Sequence, residues 1–290
     1  MTGTGTIELE LNLELRGVGL WTPGFADAAA WASREHVPGD RSGPGADAPR
    51  AELLPPMLRR RTSLLTRMAA EVAAQAIAAA GLDHAHVTVI YGSVYGEIRT
   101  TLDLLEALLD PAAPLSPTKF HNSVHNTAAG YVSIASQNRG GNAAITAGRS
   151  TLAMGLIECA GLVAAGQGPA LLVIAEESLP EPLAAGRIYG PLAAAFALDA
   201  PGSGGMLLRT CRLRQVDSGV LSQAVAPLPE GLRANPCAAA LGLVEAALRP
   251  EACRVALEPE QARGWLIELD ARADPEPAEP VHPVQSRGPA

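Results

Sequence analysis

The chain has 290 residues, 48% hydrophobic and 18% charged, which is enough to bury one sizeable core. Its 22 basic and 30 acidic residues leave a net charge of -8 with no basic stripe, a balance that speaks against nucleic acid or an anionic membrane surface as a partner. No apolar stretch is long and uncharged enough for a convincing membrane span, so a soluble, cytoplasmic protein is the expectation.

Ile7, Leu9, Leu11, Leu13 and Leu15 alternate with polar residues, a period of two that predicts a first strand over 1–15. Gly17, Gly19, Pro23 and Gly24 then mark a turn, and the Gly, Pro, Asp and Ser of 38–49 cannot build a core and read as a mobile loop. The Ala, Leu, Met and Glu of 64–80, stopped by Gly81, predict a helix with a C-terminal glycine. A short buried strand over 87–91 and a helix over 97–109 follow. Farther on, a strand over 143–147, a helix over 151–165 closed by Gly166 and a strand over 170–175 alternate. Strand, helix, strand needs a crossover and predicts a parallel sheet covered by helices. Strands over 192–198 and 205–213, joined by a turn at 199–204, precede a helix over 236–248 and a final strand over 265–269. The Pro, Glu and Ala tail from 273 onward reads as disordered. Cys159, Cys211, Cys237 and Cys253 have no C-x-x-C or metal spacing and read as small buried hydrophobes, with a reducing compartment as the default.

The most informative region is 116–178. It opens S-P-T-K-F-H-N-S-V-H-N-T-A-A-G-Y-V-S-I-A-S-Q-N-R-G-G, continues N-A-A-I-T-A-G-R-S-T-L-A-M-G and ends G-P-A-L-L-V-I-A-E-E-S. In order and spacing it resembles the β-ketoacyl synthase N-terminal domain family, in the compact branch of chain-length-factor-like subunits from aryl-polyene pathways. Ser116, Pro117, Asn126, Ala129, Gly130, Ile134, Arg139 and Gly140 carry the match, and L-R-G-V-G-L-W-T-P-G and V-I-Y-G-S-V-Y-G extend it to about residues 11–213. The resemblance implies an α/β, thiolase-like layered fold, the N-terminal half only, with a short α/β C-terminal extension. The corresponding division is 1–213, 214–272 and a disordered 273–290.

In that family a cysteine nucleophile sits at a sharp strand-to-helix turn, where the helix dipole favours the thiolate. Counting forward from Gly140-Gly141 or backward from Gly166 puts that position on Arg149. A guanidinium stays protonated and offers only donors, so it cannot accept an acyl group. The elbow and channel residues implied are Gly148, Arg149, Ser150, Thr151 and Glu177, with Glu177, Glu176 or a partner subunit supplying an acidic group for Arg149. The second half of a ketosynthase, with its two decarboxylation histidines, has no counterpart after Leu213, where only His282 remains.

Two other readings of these residues are open. Ser150 offers a serine-dependent acyltransferase or hydrolase, although G-R-S-T lacks the G-x-S-x-G spacing and names no base; as helix caps, Ser150 and Thr151 need neither. His121 and His125 are spaced for a metal but lack H-E-x-x-H and a third ligand. The resemblance places His121, His125 and Asn126 in an extended approach segment and, with Ala143, Ala144 and Ile145, at the dimer interface or acyl channel. The implied role is that of a non-catalytic partner, without cofactor or metal. It would form a heterodimer with a full-length ketosynthase subunit and meet an acyl carrier protein through that complex.

Overall fold

The computed structural model describes residues 8–34, 48–110, 112, 114–181, 183–203, 210–224, 228–258 and 262–271. The loop expected over 38–49, except its last two residues, the start of the strand expected over 205–213, and the tail from 273 lie outside the described residues.

Strand β1 (Glu8–Trp21) is followed by α1 (Ala28–Ala32), α2 (Pro56–Arg59), α3 (Leu64–Ala80) and β2 (Thr88–Gly92). Helices α4 (Ile98–Leu109), α5 (Pro117–Asn122) and α6 (Thr127–Ala135) lead to β3 (Asn142–Ile145). A 3-10 turn, Gly148–Ser150, opens α7 (Thr151–Ala164). Then come β4 (Ala170–Glu176), β5 (Leu192–Asp199), β6 (Thr210–Asp217), α8 (Ser218–Leu221), α9 (Glu230–Arg233), α10 (Ala239–Leu248), β7 (Cys253–Ala256) and β8 (Arg263–Leu269). Among the described residues the strands form one eight-stranded sheet in the order β3-β2-β4-β5-β1-β6-β8-β7.

The expected parallel pairing holds for β3-β2-β4, whose connections carry α4 to α6 and then α7. From β4 onward the neighbours are antiparallel. Among the described residues the link from β4 to β5 carries no crossover helix, and β5 returns beside β4 in the opposite sense.

Side chains alternate between two cores. In β5, Ala193, Ala195 and Ala197 pack with α3 residues such as Met68, Val72 and Ala76, while Ala194, Phe196 and Leu198 pack with Leu156 of α7 and Leu241 and Val244 of α10. Both faces being covered, β4 is buried along its whole length, and β5 in all but its last residue. Helix α3 starts where the Ser63 hydroxyl accepts the Thr66 amide and ends at Gly81, whose φ of 62° closes it.

Gly17 and Gly19 do not form a turn. They lie inside β1, and a Cβ at Gly17 would stand 2.5 Å from the Ala76 carbonyl oxygen, one at Gly19 2.3 Å from that of Val72. Close approach of α3, rather than chain reversal, requires glycine there; the turn is at Thr22–Phe25. The approach segment is likewise not extended throughout, because Ser116 caps α5 by accepting the Lys119 amide and Pro117 occupies its first turn. β6 spans residue 213, β8 pairs with β6, and α10 packs in the same core as α7. Among the described residues no helix is long and apolar enough to cross a membrane.

Candidate functional site

The site is built where the parallel strands end. Leaving β3, the chain passes Ala147 (φ -146°, ψ 33°), turns left-handed at Gly148 (φ 57°) and enters the 3-10 turn that carries Arg149 and Ser150. Thr151 locks this elbow: its hydroxyl donates to the Gly148 carbonyl at 2.6 Å and accepts the Ala147 amide at 3.0 Å. Neither residue caps α7 through its side chain, since the Thr151 hydroxyl bonds back into the elbow. The Ser150 side chain makes no hydrogen bond among the described residues, and no histidine or carboxylate is joined to it as a base.

Arg149 is exposed and lines a cavity of about 240 Å³ together with Gly148, Val94, Tyr95, Arg187, Tyr189, Ala234 and Pro236. Val94 and Tyr95 come from the loop after β2, and Arg187 and Tyr189 from the loop before β5. The Arg187 guanidinium donates to the Tyr95 hydroxyl at 3.4 Å.

Glu176, at the end of β4, holds one wall of this cavity. The Glu176 Oε2 accepts from the Val94 amide at 2.6 Å, the Ser93 hydroxyl at 3.1 Å and the Tyr95 amide at 3.3 Å. Its Oε1 is buried without a partner among the described residues. Burial pushes the Glu176 carboxyl up to about 7, against the lowering effect of its three donors. Glu177, named from sequence as a partner for Arg149, accepts the Leu65 amide at 2.7 Å and pairs with Arg99 at 3.0 Å. Burial raises its carboxyl, while those two contacts oppose the rise. Glu97 joins the start of α4 to the start of α3, its Oε1 accepting from Ser63 at 2.7 Å and Thr66 at 2.9 Å.

His125 Nε2 lies 3.0 Å from the Ser93 carbonyl and its ring 6.1 Å from that of Tyr91. Gly96 lets it sit there, since a Cβ would come within 3.0 Å of the imidazole. His125 thus props the loop that Glu176 holds from below. His121 and Asn126 are exposed on and after α5. Among the described residues no cluster of three His, Cys, Asp or Glu is arranged to hold a metal.

β3 is an edge strand. Gly141 and Ile145 carbonyls accept the Val89 and Ser93 amides, so Ala143 also turns its backbone to β2, while Asn142 and Ala144 present N–H and C=O to the open edge. The side chains of Ala143 and Ile145 pack toward α7 and that of Ala144 toward α6. The helices that lead into this edge expose large apolar groups: Leu105, Leu108 and Leu109 on α4, Phe120 on α5 and Ile134 on α6, with Leu109 85% and Phe120 71% exposed.

Sequence reading did not find Tyr95, Arg187 or Tyr189. The available signal was A-G-R-I-Y-G-P, which sets an arginine and a tyrosine between two glycines just before a buried strand.

Residues 29–260 match the family model described as the beta-ketoacyl synthase N-terminal domain. The chain belongs to this family. A search of curated proteins found no match. Among solved structures, the ketosynthase (ApeO) in complex with its chain length factor (ApeC) from Xenorhabdus doucetiae is 21% identical, with a TM-score of 0.65, over 89% of this chain and 100% of that one. The ishigamide ketosynthase/chain length factor is 14% identical, with a TM-score of 0.71, over 90% and 100%. AntDE:AntF, a type II polyketide synthase acyl-carrier protein in complex with its ketosynthase bound to the hexaketide, is 12% identical, with a TM-score of 0.69, over 91% and 100%. The fold is therefore the thiolase-like one of ketosynthase and chain length factor chains, and the likeness runs the full length of the chains matched.

Proposed function

We propose that this chain is a non-catalytic, chain-length-factor-like partner of a full-length ketosynthase, acting in the cytoplasm in polyketide-type chain elongation of the aryl-polyene kind. The observation that carries the reading is Arg149 at the elbow between β3 and α7, on a 3-10 turn at a helix N-terminus. A ketosynthase needs a thiolate there, and a guanidinium has no lone pair to offer a thioester carbonyl. Among the described residues no base is joined to Ser150, which favours this reading over the serine-dependent alternative.

The open edge of β3 and the exposed Leu109 and Phe120 support a protein partner on this side, since edge strands and apolar patches of this kind favour association. In this reading Ala143, Ala144 and Ile145 lie at the heterodimer boundary, and an acyl carrier protein meets the complex rather than the isolated chain. Co-expression with a ketosynthase from the same gene neighbourhood, followed by affinity purification through a tag on this chain alone, tests it. A stoichiometric complex is expected; recovery of this chain without the ketosynthase contradicts the reading.

A further inference from the structure

We propose that Glu176 is a pH-sensitive latch on the loop after β2: protonated, it holds that loop shut as a wall of the elbow cavity, and ionised, it lets the loop open to water. Glu176 is fully buried at the end of β4, and one of its oxygens, Oε2, gathers the Ser93 hydroxyl and the Val94 and Tyr95 amides. Three consecutive loop residues are thereby tied to a single carboxyl group, and two of them, Val94 and Tyr95, line the cavity. All three donors are neutral. The closed arrangement also leaves Glu176 Oε1 and the hydroxyl of Tyr189, which lines the same cavity, buried without a partner among the described residues. Water entering past the loop hydrates such atoms, so their burial is a cost that opening relieves.

The groups around Glu176 set the sign of the effect. Tyr91 on β2, Tyr189 before β5 and Cys237 ahead of α10 interact with it, and burial raises all three, so they stay neutral near pH 7. Glu177, next in the chain, repels an ionised Glu176, its own charge being met by Arg99 of α4 and Arg67 of α3. Glu97, at the start of α4, is engaged by Ser63 and Thr66. On the loop itself His125 meets the Ser93 carbonyl and Arg187 the Tyr95 hydroxyl, while Arg149 lines the cavity that the loop walls off. Burial outweighs the three donors and pushes the Glu176 carboxyl from 4.5 up to about 7. An acid raised in the closed state favours closure fully below about pH 4.5, and that preference is lost as pH rises through about 7.

This inference does not rest on the partner role and is tested on the isolated full-length chain. Native-state hydrogen exchange is followed by NMR from pH 5.5 to 8.5, with the intrinsic exchange rate divided out at each pH. The Val94 and Tyr95 amides, which donate to Glu176, report the latch; those of Leu172 on β4 and Phe196 on β5, in the middle of the sheet, report global unfolding. Val94 and Tyr95 should be less protected than Leu172 and Phe196, which marks their opening as local. Their protection should fall roughly 30-fold from pH 5.5 to 8.5, the factor that a carboxyl moving from about 7 when closed to about 4.5 when open imposes on the opening equilibrium. In Glu176→Gln, which keeps an acceptor oxygen and cannot ionise, the fall should shrink to severalfold or less. Protection of Val94 and Tyr95 equal to that of the central strands overturns the proposal, because the loop would then open only with the whole fold. Protection independent of pH in the wild-type chain, or an equal fall in both proteins, overturns it as well.

Discussion

Replacing Glu176 by glutamine should abolish most of a pH dependence of stability that the wild-type chain carries near neutrality. Glu176 is fully buried, and its carboxyl is pushed from 4.5 to about 7. An acid whose folded value lies above its unfolded value favours folding most when protonated. Its contribution is fully present below about pH 4.5 and is lost as pH rises through about 7. The difference corresponds to about 3 kcal/mol between the ends of that window. Glutamine can keep its carbonyl oxygen on Val94 and Tyr95, and its NH2 replaces an Oε1 that has no partner. At pH 4.5 the protonated acid has the same deficit, so the two proteins should be nearly equal in stability there. At pH 8.5 Glu176→Gln should be the more stable by about 2 to 3 kcal/mol. Urea unfolding of both proteins from pH 4.5 to 8.5 measures this. Glu97, also raised by burial, contributes in the same direction to both proteins and cancels in the difference, while the mutual repulsion of Glu176 and Glu177 is relieved in the variant and adds to its advantage at high pH. Parallel stability curves for wild type and variant would refute the reasoning, by showing that the Glu176 carboxyl titrates alike in the folded and unfolded states.

Gly19→Val should cost about 1 to 3 kcal/mol in the same urea assay, because its Cβ would meet the Val72 carbonyl of α3, which cannot move as a flexible side chain would. Arg99→Ala should cost about 1 kcal/mol and raise the Glu177 carboxyl further, since Leu65 would be the remaining donor on that carboxylate; unchanged unfolding with unchanged pH dependence would remove Arg99 from the site's framework. Ala144→Arg should prevent co-purification with the ketosynthase while preserving the helical circular-dichroism signal of the isolated chain, whereas Arg212→Ala, on β6 away from the β3 edge, should leave assembly intact. A stable complex carrying Ala144→Arg would move the interface elsewhere.

The elements legible in the sequence were those with local punctuation. α3 is closed by Gly81, and β4 and β5 are unbroken apolar runs that two-sided burial explains. The family was legible because the order of motifs across 116–178 survives even where single motifs are weak. Gly17 and Gly19 misled because a glycine that admits a helix backbone and one that reverses the chain look alike in sequence. The antiparallel return from β4 and the continuation of the sheet through β6 and β8 depend on connection geometry and escaped for that reason. At the site, the elbow could be counted to from neighbouring glycines, but its companions could not. Arg187 and Tyr189 come from a loop whose place is set by tertiary packing, and Glu177 turned to Arg99 because α4 starts beside the end of β4.

The central claim is that this chain assists condensation without performing it. Its most direct test is elongation of an acyl-loaded carrier protein with malonyl-loaded carrier protein, with mass analysis of both products and protein peptides, using this chain alone, the ketosynthase alone and the two together. The account predicts no product and no acylated peptide from this chain alone, and chain elongation by the pair that the ketosynthase alone does not match. An acyl group on the peptide spanning residues 149–154, or condensation by the isolated chain, would contradict it.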